Sequence, residues 1–226
     1  MKRTLIIIAV VAVAGAIGAA ALYGPDLLDG MRFEKAMSQI SISNKADAGP
    51  WPQPQETCFF CHGAHGQSLN TSYPALAGQP QAYVAAQLHA FAMGQRQSPY
   101  MVPLAKNLTD AQIDSLAAYF ARQVPTRNED APADAALERR GLSLVQARSC
   151  QACHGPQLMG KDLAPRLGGQ GEAYLVAQLA AFKSGERHDP TGAMNGVAAT
   201  LSSGDISAVA RYLARVSPGQ GGIAAQ

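Results

Sequence analysis

Apolar side chains recur at the three- and four-residue spacing of an amphipathic helix in several stretches of the chain. One such stretch covers residues 83–94, and Pro80 just before it suits the first turn of a helix. Thr109 and Gln112 are spaced as a capping box, which predicts the start of another helix. A further helical pattern covers residues 135–149. Together these patterns predict an all-α fold.

The N-terminus carries an uninterrupted apolar run. Residues 5–22 contain no charged or polar side chain, and this length is sufficient for one bilayer crossing. Lys2 and Arg3 precede the run, so the positive-inside rule keeps them in the cytoplasm and exports the rest of the chain. We predict an inner-membrane anchor with the exported part facing the periplasm. The alternative is cleavage of residues 1–21 as a signal peptide, which leaves a soluble periplasmic protein.

The composition is that of an ordered globular protein. The chain has 226 residues, of which 47% are apolar and 15% are charged, and this balance excludes a disordered or collagen-like protein. Its net charge of +2 lacks the basic character of a nucleic-acid binder, so no nucleic-acid partner is expected. The four cysteines form two close pairs, which differs from the dense scatter of a disulfide scaffold.

An internal repeat divides the exported part into two halves. Residues 74–96 match residues 165–187 at 13 of 23 positions, and the two cysteine motifs lie 92 residues apart. A half of about 80 residues has a marginal side-chain core, so we expect another group to help fill it. The identical residues of the first half are Pro74, Leu76, Gly78, Gln79, Ala82, Tyr83, Ala86, Gln87, Leu88, Ala90, Phe91, Gly94 and Arg96.

The repeat and the proline-rich segment between its copies predict the domain boundaries. The second copy begins with a helical lead that the first copy lacks, and the segment around 31–40 is predicted to take the place of that lead. The predicted divisions are an anchor or signal peptide over 1–23, a linker or amphipathic segment over 24–50, a first domain over 51–125, a linker over 126–136, a second domain over 137–217 and a flexible tail over 218–226.

Each half contains the motif C-x-x-C-H, which is typical of covalent haem attachment in an exported protein. The two thiols form thioethers with the haem, and the adjacent histidine is placed to ligate iron. The alternatives are a disulfide within each pair, a thioredoxin-like dithiol and a zinc site. A dithiol site requires neither the adjacent histidine nor a downstream methionine. A zinc site would need a fourth ligand near each trio, and the two pairs are too far apart in sequence to suggest one zinc ribbon. The predicted attachment and ligand residues are Cys58, Cys61 and His62 in the first half and Cys150, Cys153 and His154 in the second.

The repeat also selects a sixth iron ligand in each half. Met101 and Met194 are the two methionines that match each other, and they lie 39 and 40 residues after the motif histidines. A thioether opposite an imidazole raises the reduction potential and fills the coordination sphere, as electron transfer requires. Met93 and Met159 have no counterpart and are predicted to fill core space. The unmatched histidines are expected at the surface or at an interface, with ligation of His188 as an alternative: His65, His89 and His188.

These motifs, together with a P-x-L-x-G-Q segment in each half and the methionine before each final helix, resemble the dihaem class I cytochromes of the c4 type. The resemblance covers residues 57–216. It implies two tandem all-helical domains, each built around one covalently bound haem, in a periplasmic electron carrier. It also implies that the backbone carbonyls of Pro74 and Pro165 accept a hydrogen bond from the rings of His62 and His154.

Arg96 and Arg187 are repeated and are candidates for pairing with the haem propionates. The alternative is a hydrogen bond from each arginine to backbone carbonyls at the end of the preceding helix. Tyr83 and Tyr174 are predicted to be core aromatic residues whose hydroxyls have a partner.

The leading functional hypothesis is a membrane-tethered carrier of single electrons between a quinol-oxidising complex and a terminal oxidase or reductase. The first alternative is a cytochrome subunit that accepts electrons within a membrane-bound dehydrogenase complex. The second is a dihaem peroxidase, which needs a free or displaceable iron ligand. Met101 and Met194 argue against the peroxidase, and we expect no catalytic residue.

Overall fold

The computed structural model describes residues 53–127 and 134–218, together with the isolated positions Gly18, Tyr23, Met31, Glu34 and Lys35. Within these residues the secondary structure is helical, apart from an isolated β-bridge between Lys161 and Ala164. The all-α prediction is confirmed for this part of the chain. The helices are α1 (Glu56–His62), a 3₁₀ turn (Ala64–Gly66), α2 (Gln81–Ala92), α3 (Met101–Ala105), α4 (Asp110–Ala121), α5 (Ala135–Ala147), α6 (Gln151–His154), α7 (Glu172–Ser184), α8 (Ala193–Ala199) and α9 (Ser203–Arg215).

The two halves repeat one order of elements. A short helix that carries the cysteine motif is followed by a long helix, a short helix and a final long helix, and α5 precedes this set in the second half. The final helices, α4 and α9, both begin with a capping box, in which the side chain of Thr109 or Ser202 accepts a hydrogen bond from a backbone N–H in the first turn. The predicted capping box of Thr109 and Gln112 is therefore confirmed.

Three predicted boundaries were wrong by one or two residues. Pro80 lies at the N-cap of α2, one residue before the first turn, because its ψ of 132° is outside the helical range. The helical pattern predicted over 135–149 begins correctly, because the Asp134 side chain caps α5 and starts it at Ala135, and the predicted linker over 126–136 therefore overlapped this helix by two residues. Residues 128–133 of that linker lie outside the described residues. At the other end α5 stops at Ala147, and Ser149 takes a left-handed conformation with a φ of 52°.

The core of the second half forms where α5 crosses α9. Gly141 on α5 permits a close approach, because a Cβ atom there would lie 2.1 Å from the carbonyl oxygen of Ala208 and 2.6 Å from the Cβ atom of Tyr212. The buried core residues around this crossing are Val145, Leu158, Leu175, Leu179, Leu201, Ile206, Val209, Ala210, Leu213 and Ala214. The corresponding cluster of the first half comprises Leu116, Tyr119 and Phe120, with partly buried neighbours that include Cys58 and Phe59.

The crossing leads to a stability prediction. Gly141→Ala should lower the free energy of unfolding of the second half by about 1–3 kcal/mol, the usual cost of overpacking a close contact. Gly196→Ala is the matched control, because Gly196 is also helical and a Cβ atom there would meet nothing within 4 Å. It should be neutral or stabilising by up to ~1 kcal/mol, the helix preference of alanine over glycine. Denaturant unfolding checks both values, and an unchanged midpoint for Gly141→Ala would contradict the close crossing.

Two predictions about the N-terminal part fall on residues that the structure leaves undescribed. The predicted anchor over 5–22 and the predicted replacement helix over 31–40 lie outside the described residues, apart from isolated positions. Among the residues that are described, none of the helices has the length and apolar character needed to cross a bilayer.

Candidate functional site

None of the four cysteines of the two motifs is joined in a disulfide. Cys58 and Cys61 lie three residues apart in α1, so their side chains share one face of the helix. Cys58 is half-buried and Cys61 is exposed, and the same difference separates half-buried Cys150 from exposed Cys153. No disulfide joins either pair, so both pairs of thiols are available for covalent attachment.

The surroundings of these thiols argue against a dithiol reaction site. Burial raises the pKa of Cys58 to about 11 and also raises the pKa of Cys150. A redox-active dithiol needs the opposite shift, because the thiolate is the reactive form. In the described ranges, no group of three or more His, Cys, Asp or Glu side chains is arranged to hold a metal ion.

His62 and His154 are buried, with 7% and 5% of their surface exposed. The Nδ1–H group of His62 donates to the carbonyl oxygen of Pro74 over 2.8 Å, and that of His154 donates to Pro165 over the same distance. The two hydrogen bonds that the resemblance implied are therefore present. They also fix the tautomer, which leaves the Nε2 lone pair of each ring available for a metal.

Burial keeps both imidazoles neutral. It lowers the pKa of His62 below the usual histidine value, although the bond to Pro74 acts in the opposite direction. Burial lowers the pKa of His154 in the same way, against the opposing effects of Pro165 and the carboxylate of Asp189. A neutral ring with Nδ1 occupied is the form that ligates haem iron.

The two predicted methionine ligands occupy equivalent places in the fold. Met101 is the first residue of α3 and Met194 is the second residue of α8, and both are half-buried. The Met194 side chain packs against the core of the second half. Iron ligation by either thioether stays a prediction. Met93 was wrongly predicted to fill the core, since it is 63% exposed at the C-cap of α2, whereas Met159 is half-buried.

The donor groups present in each half fit a covalently bound haem. Each half brings two cysteines outside any disulfide, a neutral imidazole with an available nitrogen and a half-buried methionine. Cys58 and Cys150 also pack against the hydrophobic core of their own halves. A large apolar group bonded there would extend the core of each half. The first half would gain most, because its cluster of Leu116, Tyr119 and Phe120 is the smaller of the two.

Arg96 and Arg187 form a symmetric network between the two halves. The Arg96 guanidinium donates to the Oε1 atoms of Gln87 (2.7 Å) and Gln178 (2.9 Å) and to the Tyr174 hydroxyl. The Arg187 guanidinium donates to the same two glutamines and to the Tyr83 hydroxyl.

This network bears on the two alternatives for Arg96 and Arg187, which were haem propionates and helix-end carbonyls. The hydrogen-bond partners of Arg96 and Arg187 are side chains of both halves, in place of the helix-end carbonyls that were the alternative. Contact with a propionate stays a prediction. Tyr83 and Tyr174 have the expected hydroxyl partners, but these partners lie across the interface between the halves and outside either core.

The three unmatched histidines occupy different environments. His188 is exposed, as expected of a surface residue, and the distance between the His89 Nδ1 and Asp110 Oδ1 atoms is 3.9 Å. His65 is half-buried within the first half, where its Nδ1 atom lies 2.8 Å from the Tyr119 hydroxyl. That internal contact differs from the predicted surface or interface position.

Sequence reasoning assigned no role to three buried polar residues between the halves. Gln79, Gln170 and Arg166 are 3%, 2% and 1% exposed, and each hydrogen-bonds to the backbone of the other half. The available signal was the repeat, because Gln79 and Gln170 are an identical pair in it. Arg166 had no such signal, because the equivalent residue of the first half is Ala75 and the pair is not identical.

Comparisons with known families assign a related description to each half. Residues 139–217 match the family described as "Cytochrome c". Residues 53–120 match the family described as "Cytochrome C oxidase, cbb3-type, subunit III".

Two curated proteins are similar to most of the chain. A "Thiosulfate dehydrogenase electron acceptor" of Thiomonas intermedia (strain K12) is 38% identical over 198 residues, which cover 81% of this chain and 91% of that protein. A "Cytochrome c4" of Thiocapsa roseopersicina is 39% identical over 171 residues, covering 71% and 87%.

Solved structures are similar in both fold and sequence. The crystal structure of reduced recombinant cytochrome c4 from Pseudomonas stutzeri has a TM-score of 0.66 and 33% identity, and the match covers 72% of this chain and 94% of that chain. A thiosulfate dehydrogenase from Marichromatium purpuratum has a TM-score of 0.63 and 37% identity, covering 70% of this chain and 36% of that one.

Proposed function

This chain belongs to the cytochrome c4 family of dihaem electron carriers, and from that premise we propose that it passes single electrons between a quinol-oxidising complex and a terminal oxidase or reductase. It carries two covalently bound haem c groups, one in each half. The observation that supports electron transfer most strongly is the pair of buried, neutral imidazoles, each fixed by a 2.8 Å hydrogen bond to a proline carbonyl.

The proposed haem-binding residues come from equivalent elements of each half. Two thiols hold the porphyrin covalently, and the imidazole and the thioether ligate iron, which supplies a one-electron couple. Filled coordination spheres leave no open position for peroxide, so they favour electron transfer over a peroxidase reaction. The proposed haem-binding residues are Cys58, Cys61, His62 and Met101 in the first half and Cys150, Cys153, His154 and Met194 in the second.

The histidine environment matches this task. The bond from Nδ1 to the proline carbonyl orients the ring before iron is bound, and burial excludes the water that would otherwise solvate the imidazole. A fixed ring limits rearrangement when the oxidation state changes. The hydrogen bond also raises the basicity of the ligating nitrogen, which adjusts the reduction potential.

Rapid-reaction spectroscopy tests the proposed direction of transfer. The purified cytochrome, mixed with a quinol-oxidising complex and quinol, should take up two electrons per chain in one-electron steps. It should then be reoxidised on addition of a terminal oxidase. Haem reduction that the quinol-oxidising complex does not accelerate, or reoxidation that the terminal oxidase does not accelerate, would contradict the proposal.

A second candidate is the electron-acceptor subunit of a dehydrogenase. Two of the similar proteins are named thiosulfate dehydrogenase electron acceptors, and one similar structure is a thiosulfate dehydrogenase. Co-purification with a large catalytic partner, and substrate-dependent reduction of the haems by that partner, would favour this candidate.

We also propose that residues 5–22 anchor the carrier in the inner membrane, with both halves in the periplasm. The support is the uninterrupted apolar run behind Lys2 and Arg3. Membrane fractionation and N-terminal sequencing of the mature protein test this proposal. An intact N-terminus in the membrane fraction is the expected result, and a mature N-terminus near residue 22 would indicate a cleaved signal peptide.

A further inference from the structure

A buried glutamine of the second half binds the backbone of the first half at two atoms. The Oε1 atom of Gln170 accepts a hydrogen bond from the backbone N–H of Ala75 over 2.9 Å. Its Nε2 atom donates to the carbonyl oxygen of the same residue over 2.8 Å. Gln170 is 2% exposed, so water does not compete for these bonds.

The same arrangement occurs in the opposite direction. The Oε1 atom of Gln79 accepts from the backbone N–H of Arg166 over 2.9 Å, and its Nε2 atom donates to the Arg166 carbonyl over 3.0 Å. Gln79 and Gln170 are equivalent in the repeat, and so are Ala75 and Arg166. Each half therefore holds one residue of the other half through a matched pair of bonds.

The peptide group held in this way is the one that accepts the histidine bond. The carbonyl of Pro74 and the N–H of Ala75 belong to one peptide unit, and the carbonyl accepts from His62 while the N–H donates to Gln170. A hydrogen bond at the N–H end of a peptide polarises the unit, which makes its carbonyl oxygen a stronger acceptor. A continuous relay thus runs from Gln170 through one peptide group to the His62 ring.

The second half contains the equivalent relay. The Arg166 N–H donates to Gln79, and the Pro165 carbonyl of the same peptide unit accepts from His154. Both histidines belong to the ligand sets of the proposed function, and the inference rests on that assignment.

We propose that Gln79 and Gln170 are crossed positioning residues: each sets the orientation and basicity of the iron-ligating imidazole in the opposite half. A strongly accepting carbonyl draws the Nδ1 proton away from the ring, which increases the electron density that the ring gives to iron. Such a ring stabilises ferric iron. Each half therefore lowers the reduction potential of the other.

The interface has other bonds that serve as a control for simple loosening. The Arg96 and Arg187 network joins the halves through side chains and includes neither relay. Tyr174→Phe would remove the hydrogen bonds between the Tyr174 hydroxyl and the Arg96 and Arg187 guanidinium groups, and it would leave both Gln79 and Gln170 in place. If the glutamines acted only by holding the halves together, Tyr174→Phe would shift the reduction potentials in the same way as substitution of either glutamine.

The test is a crossed pair of variants, Gln170→Met and Gln79→Met, which keep the approximate side-chain volume and remove both hydrogen bonds. An NMR-monitored redox titration of the dihaem protein would follow the haem methyl signals of each half separately. Gln170→Met should raise the potential of the first haem, and Gln79→Met that of the second. We expect the ratio of ferrous to ferric iron to rise by about threefold, or ~30 mV at ~59 mV per tenfold change.

The ring proton provides a second measurement. In the reduced wild-type protein the Nδ1–H signals of His62 and His154 should exchange slowly with solvent. Gln170→Met should move the His62 signal upfield and accelerate its exchange while leaving the His154 signal in place. Gln79→Met should do the reverse. If only one of the two variants is recovered as a folded dihaem protein, the test rests on that variant, whose shift should appear in the haem and histidine of the opposite half.

Three results would overturn the proposal: a shift confined to the variant's own half, equal shifts in both halves, or the same crossed shift in Tyr174→Phe. A failure of the proposed function is distinguishable from these results. It would appear in the wild-type protein as a spectrum without histidine-ligated haem c, before any variant is compared.

Discussion

Met101→Ala and Met194→Ala should each remove one axial ligand and lower the potential of one haem while both haems stay covalently attached. The physical reason is that a thioether stabilises ferrous iron, so its loss favours the ferric state. We expect a decrease on the order of 100 mV, a part of the ~0.8 V range that axial ligands span. A redox titration with visible spectroscopy measures this decrease and the loss of one methionine-to-iron charge-transfer band.

The matched control for these variants is Met93→Ala. Met93 is 63% exposed at the end of α2 and has no counterpart in the second half. Its replacement should leave both potentials and both charge-transfer bands unchanged. An unchanged spectrum in Met101→Ala would show that another residue is the sixth ligand in the first half.

Cys58→Ala should impair haem attachment in the first half alone, so that the haem count falls from two towards one per chain. Cys58 packs beside Leu116, Tyr119 and Phe120, and this cluster gains its largest apolar neighbour only when the haem is bonded. We therefore also expect the first half to unfold at a lower denaturant concentration. A pyridine haemochrome assay, together with denaturant unfolding, measures both effects.

Cys150→Ala is the mirrored variant, and it should impair the second half alone. The second half has a larger side-chain core around Leu179 and Val209, so its loss of stability should be the smaller of the two. Equal loss of haem from both halves in either single variant would contradict two independent attachment sites.

Local sequence patterns were sufficient to predict the three long helices α2, α4 and α5. The spacing of Thr109 and Gln112 predicted the start of α4 correctly, because a capping box is a local arrangement of one helix turn. The start of α2 was wrong by one residue, because proline fixes φ but leaves ψ free, and Pro80 takes an extended ψ. The end of α5 depends on the left-handed Ser149, which no local signal in the sequence predicted.

The candidate site was predictable where one motif carries the chemistry. The C-x-x-C-H spacing placed each histidine beside its thiols, and the resemblance to a family supplied the carbonyls of Pro74 and Pro165. The exposure of Met93 was not predictable from the repeat, because a missing counterpart says nothing about burial.

Contacts between the halves could not be derived from the repeat. Arg96 and Arg187 lie at equivalent positions, but their partners depend on how the two copies pack. The identity of Gln79 and Gln170 indicated a constraint whose nature only the three-dimensional arrangement reveals. A repeat thus identifies the constrained positions, and the packing of its copies determines their bonds.

Spectroelectrochemical titration of the purified protein, with a haem count on the same sample, tests the central claim most directly. We expect two haem c groups per chain that resist acid extraction, two one-electron transitions and a methionine-to-iron charge-transfer band from each half. A single haem, haem that acid removes, or an iron without methionine ligation in either half would contradict it.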